Sequence, residues 1–218
     1  MERKYKLTDE CMQYEGHKLY RIQSLRSFSN VKEGELGGYI ESEDNLSHDG
    51  MCWVYGEAKV FGNAMVCNNA CVYFYAEVFG NAKVCNNAEV RGDAKVFDCA
   101  YVLGNAEVFG NAEVSGDANV CGNAEVCGNA EVSGNAEVSG DAKVYKNGDY
   151  IVFKNWWSSG RYFTWTRSNN KWKVGCFCGT GAELINKAYE DSELSGREYE
   201  RVVKYVESIL ADENAQKK

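Results

Sequence analysis

Valine recurs at every sixth position from Val54 to Val144, sixteen times without a gap. The hexads that carry it, among them GNAMVC, GNAEVF, GNAEVS and GDAKVY, share one template: Gly, then Asn or Asp, Ala, any residue, Val, any residue. A short period sustained this far is the signature of a solenoid and outranks local propensity. An amphipathic helix needs apolar residues three and four apart, whereas Ala and Val here lie two apart before the chain breaks at Gly-Asn. That is strand patterning, with Ala and Val on one side and the intervening residues on the other.

The pattern predicts a tube of stacked parallel strands filled by Ala and Val. Gly-Asn and Gly-Asp supply the corners, because these residues adopt left-handed backbone angles at little cost. Three hexads close one triangular coil, so sixteen hexads predict about five coils and, with coils about 4.8 Å apart, a rod of roughly 25 Å. The chain contains no proline, so every strand and corner can donate its N–H to the stack.

These hexads resemble the hexapeptide-repeat, left-handed β-helix proteins of the LpxA-like fold. The stretch Leu19 to Val60, LYRIQSLRSFSNVKEGELGGYIESEDNLSHDGMCWVYGEAKV, resembles the opening of YdcK-like repeat proteins of bacteria and their phages. The resemblance covers about the first two thirds of the chain and implies the fold, its handedness included, more firmly than a function. The expected organisation is mainly β: an N-terminal β cap over residues 1–35, a hexapeptide β-helix over 36–145, and a small antiparallel sheet with two helices over 146–218.

Stacking every eighteenth residue sorts the outer face into columns. Glu89, Glu107 and Glu125 fall in one column and Glu113 and Glu131 in another, with Glu137 nearby. No Lys or Arg lies between Phe97 and Ala142. The sequence therefore predicts an acidic strip that disfavours nucleic acid on the rod and attracts a cationic partner. Phe61, Phe79 and Phe97 form an aromatic column, and Tyr55, Tyr73 and Phe109 belong to a second. Serines replace them in later coils, so the early coils are expected to be covered by the chain's own ends or by a homo-oligomer, a trimer or dimer.

The chain has ten cysteines; those within the coils occupy positions where Ser, Asn, Ala or Phe stand elsewhere, and all ten read as small apolar fillers. Their spacing gives no zinc site, so no metal and no cofactor is expected. No run approaches the roughly 18 apolar residues of a membrane helix, and the start is charged, which predicts a cytoplasmic protein with no membrane contact.

After Val144, the runs DYIVFKN, RYFTWT and KWKVGCF alternate as strands do, and Thr180–Glu183 and Ser195–Glu198 read as capping boxes of two helices. The sheet carries Trp156, Trp157, Arg161, Tyr162, Trp165, Arg167, Lys171 and Trp172, aromatics interleaved with cations that can bind a partner or form an ordinary sheet core.

The coils contain no histidine from Gly50 onward and no insertion between Val54 and Val144. Acyltransferases of the resembled fold place a catalytic His on or beside the coils and extend a loop from one of them, so the expectation is a protein that is not an enzyme. His17 and His48 read as cap residues. The function expected from sequence is a non-catalytic interaction protein, phage-derived, that binds and blocks a host defence or nucleic-acid enzyme; an acyltransferase-like enzyme and an assembly scaffold are the alternatives.

Overall fold

The computed structural model describes residues 3–216; residues 1–2 and 217–218, the outer ends of the first and last expected segments, lie outside them. β1 (Tyr5–Tyr14) and β2 (His17–Ser24) form an antiparallel ribbon, and β2 pairs antiparallel with β3 (Leu36–Ile40). Then come sixteen two-residue strands, β4 (Trp53–Val54) to β19 (Lys143–Val144), of which β4 to β16 each pair in parallel with the strand three further on. Three parallel sheets result, the faces of a triangular solenoid of about six turns. β3 belongs to the first turn, since Ile40 pairs with Val60, and Leu46 bridges Val66. The predicted five turns omit this coil because Ile40 and Leu46 replace Val, and eight residues rather than six separate Leu46 from Val54.

Every repeat Ala from Ala70 to Ala142 and every repeat Val from Val54 to Val144 is fully buried. Each buried Val contributes on the order of 1.5 kcal/mol of transfer free energy, and the Val-on-Val register holds this contribution identical from coil to coil. The enlarged first-coil corner turns at Gly50, φ +68°, where an added Cβ would sit 2.1 Å from the Asn68 carbonyl oxygen. Only glycine fits there.

The stack has a polarity that decides how each end is closed. Backbone N–H groups donate to the next coil, as in Glu113 N to Ala130 O and Ser115 N to Val132 O, both 2.9 Å. The first coil is therefore left with free carbonyls and the last with free N–H groups, and each end must be covered by the opposite kind of group. At the start, Lys4 Nζ donates to Cys52 O (2.9 Å) and Tyr5 hydroxyl to Leu46 O (2.7 Å). At the end, Glu131 N donates to Asn147 Oδ1 (2.8 Å), Glu137 N to Thr164 Oγ1 (2.8 Å) and Lys143 N to Ser168 Oγ (2.6 Å).

Those acceptors come from the terminal unit: β20 (Tyr150–Lys154), β21 (Tyr162–Thr166), β22 (Lys171–Val174) and β23 (Phe177–Gly179) form an antiparallel sheet in chain order. Helices α1 (Gly181–Asp191) and α2 (Glu193–Gln216) cover it, burying Leu184, Ala188, Tyr199, Val203 and Val206 against Phe163, Trp165 and Trp172. Thr180 caps α1 through the expected box with Glu183. The second helix begins earlier than expected. Ser192 Oγ accepts from Ser195 N at 3.1 Å, while Glu198 is drawn to Arg201, so the start belongs to Ser192.

One cysteine pair is not filler. Cys67 and Cys85, one coil apart with Cα atoms 4.7 Å from each other, are joined by a disulfide. Among the described residues, no helix is long and apolar enough to cross a membrane.

Candidate functional site

The ribbon of β1 and β2 does more than close the first coil: it lies along the outer face of the early turns. Glu15 and Gly16, both with positive φ, turn the ribbon so that His17 opens β2 beside the solenoid. Glu41, the residue after Ile40, holds the first-coil position of the column that continues as Phe61, Phe79 and Phe97. His17 Nδ1 and Glu41 Oε1 are 2.9 Å apart, and Glu41 Oε2 accepts from Gly62 N at 2.7 Å. Both carboxylate oxygens are thus fixed. The hydrogen bond from His17, ahead of the one from the Gly62 amide, lowers the Glu41 pKa, with its slight burial opposing.

With Nδ1 donating to Glu41, His17 presents Nε2 as an acceptor, the tautomer being assigned from that hydrogen bond. The imidazole is partly exposed and leans on buried Phe61 at 5.0 Å between ring centroids. His48 is placed differently. Its ring stacks on Tyr5 at 4.3 Å, Nδ1 accepts from Lys4 N at 3.2 Å, and Nε2 is buried 3.6 Å from Glu43 Oε2, so it belongs to the cap.

Beside the dyad runs a charged column. Tyr14 hydroxyl donates to Glu77, whose buried carboxylate lies between Lys59 Nζ (3.7 Å) and Lys95 Nζ (3.4 Å). Lys59 also sits over the Tyr14 ring, 4.6 Å from its centroid. The bond to Glu77, ahead of desolvation, pushes the Tyr14 hydroxyl up to about 12. Phe61, Phe79 and Phe97 stack at 5.1 and 5.0 Å with near-parallel rings, and only Phe61 is fully covered. A histidine with a free acceptor nitrogen, an anchored carboxylate, Lys95 and an apolar shelf thus share one face.

Tyr55 and Tyr73 stack at 4.6 Å, and Phe109 lies under the Arg91 guanidinium at 4.1 Å. Glu89, Glu107 and Glu125 stand in register on successive coils, as do Glu113 and Glu131, while Glu137 lies on the third face. Arg91 reaches Glu107 at 2.7 Å and Glu89 at 4.0 Å, and Lys143 reaches Glu125 at 2.8 Å, so the protein's own cations pair the first column.

In the terminal sheet, Trp165 and Trp172 are core, Trp157 packs edge-on against Tyr199 at 5.0 Å, and Lys171 is half-buried. Arg167 forms a two-pronged pair with Glu213 at 2.7 and 3.1 Å. Trp156, Arg161 and Tyr162 are exposed. Among the described residues, no three His, Cys, Asp or Glu side chains gather as a metal site requires.

No protein-family model matches the chain. A stretch of 76 residues, 31% of the chain, is 36% identical to a protein of Escherichia coli (strain K12) named "Uncharacterized acetyltransferase YdcK", of which it spans 23%. The repeat, the register and this match agree. The chain is a hexapeptide-repeat β-helix. The match also overturns the expectation that the protein is not an enzyme, since part of it is similar to a protein named for acetyl transfer. That expectation rested on the coils from Gly50 onward, which lack histidine; the hexapeptide β-helix receives His17 from outside its repeat. The turn at Glu15-Gly16 was the available signal, because it returns the chain alongside β3.

Proposed function

We propose that the protein is an acyltransferase-like enzyme in which His17, held by Glu41, is the general base. The observation that carries this reading is the 2.9 Å contact of His17 Nδ1 with a carboxylate that is itself fixed by the Gly62 amide, which leaves Nε2 as the acceptor nitrogen. In such a pair the carboxylate sets the tautomer and stabilises the imidazolium that forms. Nε2 removes the proton from a hydroxyl or amine acceptor as its oxygen or nitrogen bonds to the acyl carbon. The bond from that carbon to the leaving group then breaks, and the proton passes from His17 to the leaving group. Phe79 and Phe97 offer apolar contact, and Lys95 offers positive charge, to the acyl donor. Acetyl is the acyl group that the similarity favours.

The test is release of free thiol from acetyl-coenzyme A with a panel of amine and hydroxyl acceptors. His17→Gln should lower the rate by about a hundredfold or more, and Glu41→Gln by less, with an altered pH profile. Wild-type protein that releases no thiol above the blank with any acceptor, or His17→Gln with the wild-type rate, refutes the reading.

A further inference from the structure

The terminal unit, far along the chain from His17, encloses a cavity of about 260 Å³ between its sheet and the start of α2. Its floor is apolar, with Val174 and Phe177 from the sheet, Leu184 and Ala188 from α1, and the ring of Tyr199 from α2. Its rim is charged. Arg161, on the loop before β21, and Lys187, on α1, both line it, and neither carries an ion pair or a side-chain hydrogen bond among the described residues. Asp191 stands on the same rim, leaving a net positive opening.

Tyr199 supplies an independent observation. It is 6% exposed, and its hydroxyl accepts from Asn155 Nδ2 at 3.0 Å. Asn155 is itself fixed, because its Oδ1 accepts from Ser158 N and Ser158 Oγ. The Tyr199 proton finds no acceptor among the described residues, although buried polar groups are ordinarily satisfied. Burial, its main perturbation, raises the Tyr199 pKa, so the hydroxyl keeps its proton. A buried donor without an acceptor thus lines the same space as two unpaired cations and an apolar floor.

We infer that this cavity is a binding site for a small organic anion with a compact apolar or aromatic body, its anionic group held by Arg161 and Lys187 and hydrogen-bonded by Tyr199. Small-ligand sites combine an apolar body contact with a few converging polar groups, and Asn155, Ser158, Ser159 and Ser195 add hydroxyl and amide groups to this lining. The volume lies just below the usual range and restricts the occupant to something near the size of one ring with its acidic substituent. Arg161 and Gly175 also line a second cleft, of about 360 Å³, shared with Asp117, Asn119 and Glu137 of the rod. The anionic end therefore lies where the terminal unit meets the coils, and the apolar end lies inside the terminal unit.

The experiment uses the full chain, with phenylacetate as the probe and phenylacetamide as its uncharged counterpart, followed by amide chemical shifts. Phenylacetate should shift Gly175, Lys187 and Asp191 in a saturable manner, and the amide should bind about tenfold more weakly or not at all. Arg161→Gln and Lys187→Gln, both exposed substitutions, should each weaken binding about tenfold, whereas Arg197→Gln, outside the cavity, should leave it unchanged. Ala188→Leu should block binding by filling the floor, with the spectrum of the rod preserved. Shifts that do not saturate, equal affinity for acid and amide, or wild-type affinity in both charge variants overturn the inference. None of these readouts depends on the His17 reaction, so the two readings fail separately.

Discussion

The polarity of the coil stack yields a prediction that separates it from generic packing: Thr164→Val should cost more than Ser168→Ala, although both remove one hydroxyl acceptor from a last-coil N–H. Thr164 is completely buried and its Oγ1 accepts from Glu137 N at 2.8 Å. Valine has nearly the same shape, so the variant loses no packing; it leaves the amide facing two methyl groups. An unsatisfied buried donor costs about 1–3 kcal/mol, and because Glu137 itself is only half-buried, the lower part of that range, about 1–2 kcal/mol, applies. Ser168 is exposed, so water replaces its hydroxyl at Lys143 N and no measurable loss is expected. Urea denaturation gives the two free energies. Hydrogen exchange reads the amide directly: Glu137 should lose about tenfold in protection, the equivalent of about 1.4 kcal/mol. Equal losses in the two variants, or unchanged exchange at Glu137, would show that the terminal sheet holds the rod by burial alone and that the capping argument is wrong.

Three further outcomes follow from local geometry. Phe74 holds a corner at φ +60° where Gly56 and Gly92 stand one coil away on either side, and it is 62% exposed, so Phe74→Asn should raise stability by about 1 kcal/mol, measured as a higher urea midpoint with unchanged slope. Because His17 and the Gly62 amide depress the Glu41 pKa below its ordinary 4.5, its contribution to stability is complete above that value and is lost as pH falls through the lower folded value. The stability gap between wild type and Glu41→Gln should therefore narrow from neutral pH to about pH 3; a constant gap counts against the pair. Breaking the Cys67–Cys85 disulfide, whose closed loop spans 18 residues, should cost about 2–4 kcal/mol, so wild type in reductant and Cys67→Ser should share one denaturation midpoint.

What the sequence disclosed tracks what is periodic. Ala and Val two apart and six apart specify the interior, because every coil repeats the same environment, and the columns eighteen apart follow from that alone. The disulfide obeyed the same arithmetic: Cys67 and Cys85 share a column one coil apart, a signal that the filler reading passed over. The first coil was undercounted because Ile40 and Leu46 break the valine pattern and two residues are inserted near Gly50. Trp156 and Trp157 looked alike as sequence, yet adjacent positions face opposite ways, one to solvent and one toward Tyr199. The His17–Glu41 pair follows from no period, since a β-ribbon and a coil corner 24 residues apart make it, and only the Glu15-Gly16 turn pointed to it.

That division has a physical cause which also locates function. In a solenoid each coil contacts only its neighbours, so a side chain that departs from the template in mid-stack disturbs the register both above and below it. The ends have one neighbour each and require closure by something other than a coil, and the groups that close them are free of the period. At the first coil, closure needs donors, which brings Lys4 and Tyr5, and with them the ribbon that delivers His17. At the last coil, closure needs acceptors, which brings Thr164 and Ser168, and with them the sheet that lines the Arg161 cavity. Both candidate sites are consequences of opposite chemical demands at the two ends of one polar stack, and the uniform middle sets the distance between them.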